Sequence, residues 1–386
     1  MRVVLTAGGS GGHITPLLAV ATELKKLRPD IQTIYIGQKG DRLGDVPAAH
    51  CAIDETYTVR AGKFRRYHGE GWRQLLDLGT QAKNIRDAVW VLVGTWQSYW
   101  LMRRLQPDVI FTRGGFVSVP VALAGKLNGV PYITHDSDST PSLANRIIAR
   151  WATLHAVSLP VDLYPYPRGK TVMVGVPVSD AFVPVTQKIQ QSYRKELGLD
   201  AYEQIVLVTG GGNGAAQLNR AIVHNAAALV VRYPKLAIVH IAGRALEEHV
   251  SKAYDDLHLG EARKRVMIKG FVTDLYRYSG AADIVVARGG ATGIVEFAQQ
   301  HKACIIIPAK QLIWQEHHAK VMEGLDAIIY LAEDESNRKG RLGLAIQELL
   351  DHPDVRQHLG EKLATFARPD AAKHLAMVLL AQAHAK

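Results

Sequence analysis

The stretch Val3-Val4-Leu5-Thr6-Ala7-Gly8-Gly9-Ser10-Gly11-Gly12-His13-Ile14-Thr15-Pro16 joins an apolar run to a segment of helical spacing through a turn rich in glycine. Val3 to Thr6 reads as a short buried strand, and Pro16 to Lys26, with Leu17, Leu18, Val20, Ala21 and Leu24 on one face, reads as a helix. A strand, a glycine turn and a helix in that order make an anion site. Glycines let backbone N–H groups approach a phosphate closely, and the first helical turn adds partial positive charge. The same device recurs. Gly210-Gly211-Gly212-Asn213-Gly214-Ala215 follows the apolar run Ile205 to Val208, and Arg288-Gly289-Gly290-Ala291-Thr292-Gly293 follows Asp283 to Ala287. A glycine pair, Gly114-Gly115, follows Val109 to Thr112, where a second phosphorylated ligand could sit.

Outward from these turns the chain alternates strand and helix. Strands are predicted near 3–6, 33–37, 109–112, 131–134 and 171–174, then near 205–209, 237–242, 266–268, 284–287 and 304–307, an α/β pattern with parallel sheets. A break around Val176-Pro177 to Gln187 separates the two series. The expected architecture is therefore two doubly wound domains, 1–182 and 183–368, with a C-terminal helix over about 369–386 returning to the first. Ligands of such sheets bind at the C-terminal strand ends, here in an interdomain cleft.

Gly210, Gly212 and Ala215 satisfy the dinucleotide fingerprint G-x-G-x-x-A. That reading needs an acidic residue after the next strand, yet Ile238 to Ala242 runs into Gly243-Arg244, and the second strand of the first half ends in Gly37-Gln38, which disfavours a dehydrogenase. Glycines used only for tight helix–strand packing remain an alternative for any single turn. Glu296, one turn into the helix after the third glycine turn, has the place of a carboxylate that accepts both hydroxyls of a ribose; complementing the helix dipole is its mundane alternative.

Composition sets the frame. The 386 residues are 47% hydrophobic and 21% charged, a globular balance with room for two domains. A net charge of +10 points to an anionic partner: nucleic acid, a phosphate-bearing substrate or an anionic membrane face. Cys51 and Cys304 lie far apart without metal-ligand spacing, and no secretory signal is apparent, so a reducing cytoplasmic setting is expected. No run of 18 apolar residues occurs. Val89 to Met102, with Trp90, Trp96, Tyr99 and Trp100, lies downstream of the basic, aromatic stretch Arg60, Lys63, Phe64, Arg65, Arg66 and Tyr67. Together they read either as an interfacial patch or as a buried helix beside a solvated loop.

These motifs together resemble the MurG-type glycosyltransferases along nearly the whole chain. The resemblance rests on Gly8 to His13 with Pro16; on Ala61-Gly62-Lys63-Phe64-Arg65-Arg66-Tyr67; on Gly114-Gly115-Phe116-Val117-Ser118; and on His135-Asp136-Ser137-Asp138 with Pro141 and Asn145. In the second half it rests on Gly210 to Ala215 with Leu218-Asn219, and on Arg288 to Glu296. It implies two Rossmann-like domains in the GT-B arrangement, a UDP-sugar donor in the second and a lipid-linked acceptor in the first. Carried over, it places Glu296 on the donor ribose, the Val272 backbone on the uracil, Ala291 and Thr292 near the diphosphate, and Gln315 on the sugar. Gly212 and Asn213 approach the phosphates, Ser10, Gly11 and Gly12 close the site from the first domain, and Asp138 is a sugar or loop hydrogen-bonding residue. A histidine after glycines is, from the residues alone, equally a structural or phosphate-contacting group; the resemblance makes His13 the general base. Three positions depart from the family pattern: Ser179 replaces an arginine, Gly212 a serine and His318 an asparagine.

The implied reaction moves N-acetylglucosamine from UDP to an undecaprenyl-diphosphate-linked muramyl-pentapeptide, with inversion. Helix N-termini stabilise the leaving diphosphate, with no cofactor and no metal expected. The D-x-D of Asp136-Ser137-Asp138 is a spacing that chance supplies in a chain this long. Expected partners are the donor, the lipid acceptor, the anionic membrane surface and other cell-wall synthesis proteins, with no nucleic acid, and the expected place is the cytoplasmic membrane face, peripherally bound. The alternatives are a related UDP-sugar-dependent glycolipid transferase, a non-catalytic nucleotide-sugar-binding partner, and a sugar-nucleotide epimerase.

Overall fold

A computed structural model describes all residues of the chain except 9–10, 42, 64–77, 139, 213, 337–339 and 385–386. The described chain divides into two compact units, Met1–Ser179 with Asp370–Lys386, and Asp180–Pro369.

The first unit runs β1 (Arg2–Thr6), α1 (Gly11–Leu27), β2 (Gln32–Gln38), α2 (Asp45–Ala48), β3 (Glu55–Val59), α3 (Leu78–Leu105), β4 (Val109–Thr112), α4 (Ser118–Leu127), β5 (Tyr132–Asp136), α5 (Leu143–Ile148), β6 (Leu154–Val157) and β7 (Thr171–Met173). Its seven strands are parallel in the order β3-β2-β1-β4-β5-β6-β7. The second unit runs α6 (Gln187–Glu196), β8 (Gln204–Thr209), α7 (Ala216–Arg232), β9 (Leu236–Ile241), α8 (Glu247–Asp255), β10 (Val266–Lys269), α9 (Leu275–Ala281), β11 (Ile284–Ala287), α10 (Ala291–Gln299), β12 (Ala303–Ile306), α11 (Ile313–Glu323), β13 (Ile329–Tyr330), α12 (Glu333–Ser336), α13 (Arg341–Asp351) and α14 (Pro353–Ala364). Its six strands are parallel in the order β10-β9-β8-β11-β12-β13. The last helix, α15 (Ala371–His384), packs on α1 and completes the first unit.

Both units are the doubly wound parallel sheets that the alternating pattern predicts. The central strands are almost wholly buried and carry mainly apolar residues because helices cover both faces. In the second unit, Val206, Val208, Ile284 and Val286 face α7 and α13, while Leu207, Val285 and Cys304 face α10 and α11. In the first unit, Val4, Ile34 and Ile110 pack against α3, α4 and α5.

The ten expected strands are all present, with ends shifted by one or two residues. Three strands escaped the sequence. Glu55-Thr56-Tyr57-Thr58-Val59 lies at the sheet edge with its first residues alternately half-buried and exposed, so it shows no apolar run. Leu154–Val157 and the two-residue β13 are short. The first helix also begins earlier than predicted, at Gly11, so that Pro16 lies inside it. Proline holds a helical φ, and its presence removes only the hydrogen bond that would reach the Gly12 carbonyl.

One ion pair ties α6 to the second sheet. The Asp283 carboxylate accepts from Arg194 Nη2 at 2.8 Å and from the Ile205 N–H at 2.7 Å. The Asp283→Ala variant leaves the half-buried guanidinium without its counter-charge, and a loss of about 3 kcal/mol from the second unit is expected. Urea unfolding measures it, and an unchanged midpoint would show that the pair is idle.

Candidate active site

Parallel sheets of this order leave a crevice where neighbouring strands send their crossovers to opposite faces, and both units place their glycine turns there. In the first sheet the place is between β1 and β4, with Thr6 opposite Thr112. The turn after β1 and the Arg113-Gly114-Gly115 turn after β4 are therefore side by side. In the second sheet it is between β8 and β11, with Thr209 opposite Ala287, which pairs the Gly210 turn with the Arg288 turn.

His13 stands in the first turn of α1, partly accessible. Its Nδ1 lies 3.2 Å from the Gly8 carbonyl oxygen. That oxygen can only accept, so Nδ1 carries the proton and Nε2 keeps a lone pair. Burial, reinforced by the nearby Arg113 charge, brings the imidazole down to about 4, and it is neutral at physiological pH. A neutral imidazole is a proton acceptor at its unprotonated nitrogen.

The segment after β5 is folded inward. Asp136 is buried and accepts from Tyr166 Oη at 2.7 Å, Asn145 Nδ2 at 2.8 Å and the Ser142 N–H at 3.1 Å. It is thus committed to holding the start of α5, where the Ser142 hydroxyl caps the Asn145 N–H at 3.2 Å. Asp138 is partly buried, and burial raises its carboxyl to about 6 against the pull of Arg113. No cluster of three metal-ligating side chains occurs among the described residues.

In the second unit, Ala291 and Thr292 form the first turn of α10 and are buried, with Gly290 as the cap. Glu296 follows one turn later. It is 7% exposed, and no hydrogen bond to it is found among the described residues. Burial alone pushes its carboxyl up to about 8. Gln315, on α11, lies against the same turn, since a Cβ on Gly289 would stand 3.3 Å from Gln315 Cβ. Its Oε1 accepts from the Ala309 N–H at 3.4 Å. Val272, after β10, packs on the core layer that contains Ile294 and Phe297 of α10, and so lies on the same face. Beside it Phe271 lies under the Arg244 guanidinium, 4.6 Å from the ring centre.

The second glycine turn is partly a packing device. A Cβ on Gly214 would stand 2.3 Å from the Ala242 oxygen, and one on Gly210 would stand 2.6 Å from Ala215 Cβ. Gly211 has open space around it and a φ of +79°. Gly212 is half-buried in this turn, while Asn213 and Ser10 lie outside the described residues. Gly11 opens α1 and Gly12 is exposed.

The helix α3 presents an unusual surface. Ile85, Val89, Leu92, Trp96 and Trp100 form one exposed stripe, with Leu92 at 70% and Trp96 at 66%. Asp87 and Ser98 are buried on the other side, and Gly94 backs onto the chain where a Cβ would meet the Arg60 oxygen. Trp90 is covered by the Arg60 guanidinium, 4.0 Å from its ring centre. Lys83, Arg86, Arg103 and Arg104 are exposed at the two ends of the stripe. Phe64 to Tyr67 lie outside the described residues. No described helix is long and apolar enough to cross a membrane.

Comparison with known proteins agrees with this geometry. The chain matches the glycosyltransferase family 28 N-terminal domain over residues 3–157 and the family 28 C-terminal domain over 205–375. It is 32% identical over 94% of both chains to the UDP-N-acetylglucosamine–N-acetylmuramyl-(pentapeptide) pyrophosphoryl-undecaprenol N-acetylglucosamine transferase of Geobacillus kaustophilus. It is 29% identical over 98% of both chains to the same-named enzyme of Bacillus pumilus. The chain belongs to the MurG family of glycosyltransferases. The fold agrees with the crystal structure of Acinetobacter baumannii MurG at a TM-score of 0.66, with 21% identity over 98% of this chain and 99% of that one. A UDP-GlcNAc 2-epimerase from Neisseria meningitidis, bound to UDP-GlcNAc, shares the fold at a TM-score of 0.68 and 14% identity, covering 99% of this chain and 100% of that one.

Within this MurG-family frame, the structure gathers Ala291, Thr292, Glu296, Gln315 and Val272 on one side of the second sheet, and Gly11, Gly12 and His13 at the crevice of the first. Arg113 was missed. Its signal is a cation between an apolar strand and a glycine pair, a place where a side chain turns under the loop. The ionisation of Glu296 makes a sign prediction. The unfolded carboxyl ionises above its ordinary 4.5 and the folded one only near 8, so this group lowers stability as pH rises between those values. Glu296→Gln should therefore melt higher than the parent at pH 7.5 and alike at pH 4. Equal melting at both would show that the carboxyl ionises freely in the fold.

Proposed function

We propose that this MurG-family enzyme transfers N-acetylglucosamine from UDP-N-acetylglucosamine to a lipid-diphosphate-linked muramyl-pentapeptide, converting lipid I to lipid II, with inversion at the sugar. The observation that carries the reading is the division of chemistry between the units. A histidine held as a proton acceptor stands at the crevice of one sheet, and at that of the other stands a buried carboxyl, Glu296, with no hydrogen-bond partner among the described residues.

The donor binds the second unit. The Val272 backbone meets the uracil, the ribose hydroxyls donate to Glu296, and the first turn of α10 at Ala291 and Thr292 faces the diphosphate. Gln315 meets the sugar, with the Gly212–Asn213 turn closing on the phosphates. As the C1–O bond breaks, the sugar gains oxocarbenium character and the diphosphate gains charge. The α10 N-terminus stabilises that charge with fixed dipoles. The acceptor hydroxyl loses its proton to His13 Nε2 and attacks the opposite face of C1. No covalent nucleophile is needed. The first unit contributes the base, Asp138 and the Ser10–Gly12 turn.

The acceptor's lipid determines where the enzyme works. An amphipathic stripe with tryptophans and terminal cations fits the interface of an anionic bilayer, the rings at headgroup depth and the cations among phosphates. The enzyme then sits peripherally on the cytoplasmic face, where other cell-wall synthesis proteins are its neighbours. A soluble-substrate epimerase has no use for such a stripe.

Labelled UDP-N-acetylglucosamine and a short-chain lipid I, incubated with the purified chain with and without EDTA, test the reading. EDTA-resistant transfer is expected. His13→Ala should lower turnover by about 10²–10⁴-fold with UDP affinity retained. Glu296→Gln should instead weaken UDP binding. Absence of transfer with the donor still bound would move the reading to another acceptor or to a non-catalytic partner.

Membrane contact has its own check. Trp96 and Trp100 are exposed, so replacing both by Ser should leave melting unchanged and reduce co-sedimentation with phosphatidylglycerol vesicles several-fold. Undiminished sedimentation would place the membrane contact elsewhere.

A further inference from the structure

Arg113 is buried at the end of β4, directly beneath the turn that carries His13. Its Nη2 donates to the Gly12 carbonyl at 3.1 Å, and its Nη1 reaches Ser137 Oγ at 2.5 Å and His135 Nδ1. The Gly12 carbonyl is the one that Pro16, having no N–H, cannot bond within α1. Two residues along the same loop, Gly115 has a φ of +80°, and a Cβ there would stand 2.9 Å from the Gly8 oxygen and 3.6 Å from His13 Nδ1. The loop therefore touches both flanks of the His13 turn.

We propose that Arg113 is a positioning residue for the His13 base, fixing through the Gly12 carbonyl the helical turn that presents the imidazole. The proposal deepens the transferase reading and rests on His13 as its base. Arg113 is itself held. His135 accepts from it at Nδ1 and therefore donates Nε2–H to the Gly175 oxygen, 2.8 Å away. Asp136 and Asp138 supply the opposing charge. Burial brings the guanidinium down to about 10, which leaves it charged at neutral pH. That charge disfavours a second positive charge on His13, so the same side chain that aims the base also keeps it ready to accept a proton. Among the described residues, the polar groups near the site also include Tyr35, which donates to the Ala7 oxygen at 2.7 Å, and Asp41, whose carboxylate lies 3.9 Å from where a Cβ on Gly8 would stand. A lysine offers the charge without the planar fork that spans Gly12, Ser137 and His135.

The test uses the full chain as Arg113→Lys, Arg113→Met, His13→Gln and the His13→Gln/Arg113→Met double variant. Turnover and KM for each substrate are measured, with melting as a folding control. Arg113→Met should lower kcat by about a hundredfold, the scale of a 1 Å misplacement, with KM for UDP-N-acetylglucosamine unchanged. Arg113→Lys should keep the parental melting and recover only part of the rate; a parental kcat would overturn the proposal. If Arg113→Met does not fold, the lysine variant alone decides. In the His13→Gln background, Arg113→Met should add no further loss, and a second loss of similar size would show that Arg113 acts independently of the base. Imidazole NMR, with His13 assigned by its absence in His13→Gln, gives a readout free of Asp138. The His13 signal should titrate at a higher pH in Arg113→Met than in the parent and in Arg113→Lys, with burial keeping it below the ordinary histidine range in all three. An unshifted titration there would remove the electrostatic half. Parental turnover in His13→Gln would instead sink the base reading itself.

Discussion

Everything chemical in this protein depends on where a parallel sheet reverses the sense of its crossovers. At β1 and β4, and again at β8 and β11, adjacent strands end side by side while their crossovers run to opposite faces, which opens a crevice at the strand ends. Helix N-termini follow the turns there, α1 after the first and α10 after the third, which is an attraction for anions. The glycines exist because that space must stay open. Where they instead touch other backbone, as Gly214 does with Ala242, they let the sheet and helix close around the opening.

The electrostatics of the two crevices differ in kind. In the first, a buried cation lies under the turn, with two carboxylates and two neutral imidazoles arranged about it. In the second, the Glu296 carboxyl is buried with no ion pair among the described residues, and burial raises it to about 8. On the proposed reading, the first crevice serves to remove a proton and the second to receive the ribose hydroxyls.

The architecture was legible because the apolar runs of central strands and the glycine turns are local signals. The edge strand Glu55–Val59 was not, since an edge position needs little apolar surface and leaves no periodic trace. The start of α1 was misread because proline is usually a boundary, and only the packing beneath Gly12 shows why it is tolerated inside. Glu296 was visible by its place one turn into a helix. Arg113 was invisible as a functional residue because its role depends on β1 and β4 being neighbours, which no spacing states. The aromatic segment left two readings open because α3 has two unlike sides: Ser98 and Asp87 lie on the buried one, Trp96 and Trp100 on the exposed one.

The return of α15 to α1 has a consequence for biosynthesis. The second unit is, in chain order, an insertion within the first. A ribosome that has finished Met1–Ser179 has made a sheet whose α1 still lacks its covering helix, with some 190 residues to be added first. The second unit can close while still tethered, but the first reaches its final form only after its last helix emerges. Completion of the first unit therefore waits for the last helix, and the second unit, made whole within one continuous stretch of chain, can fold before it.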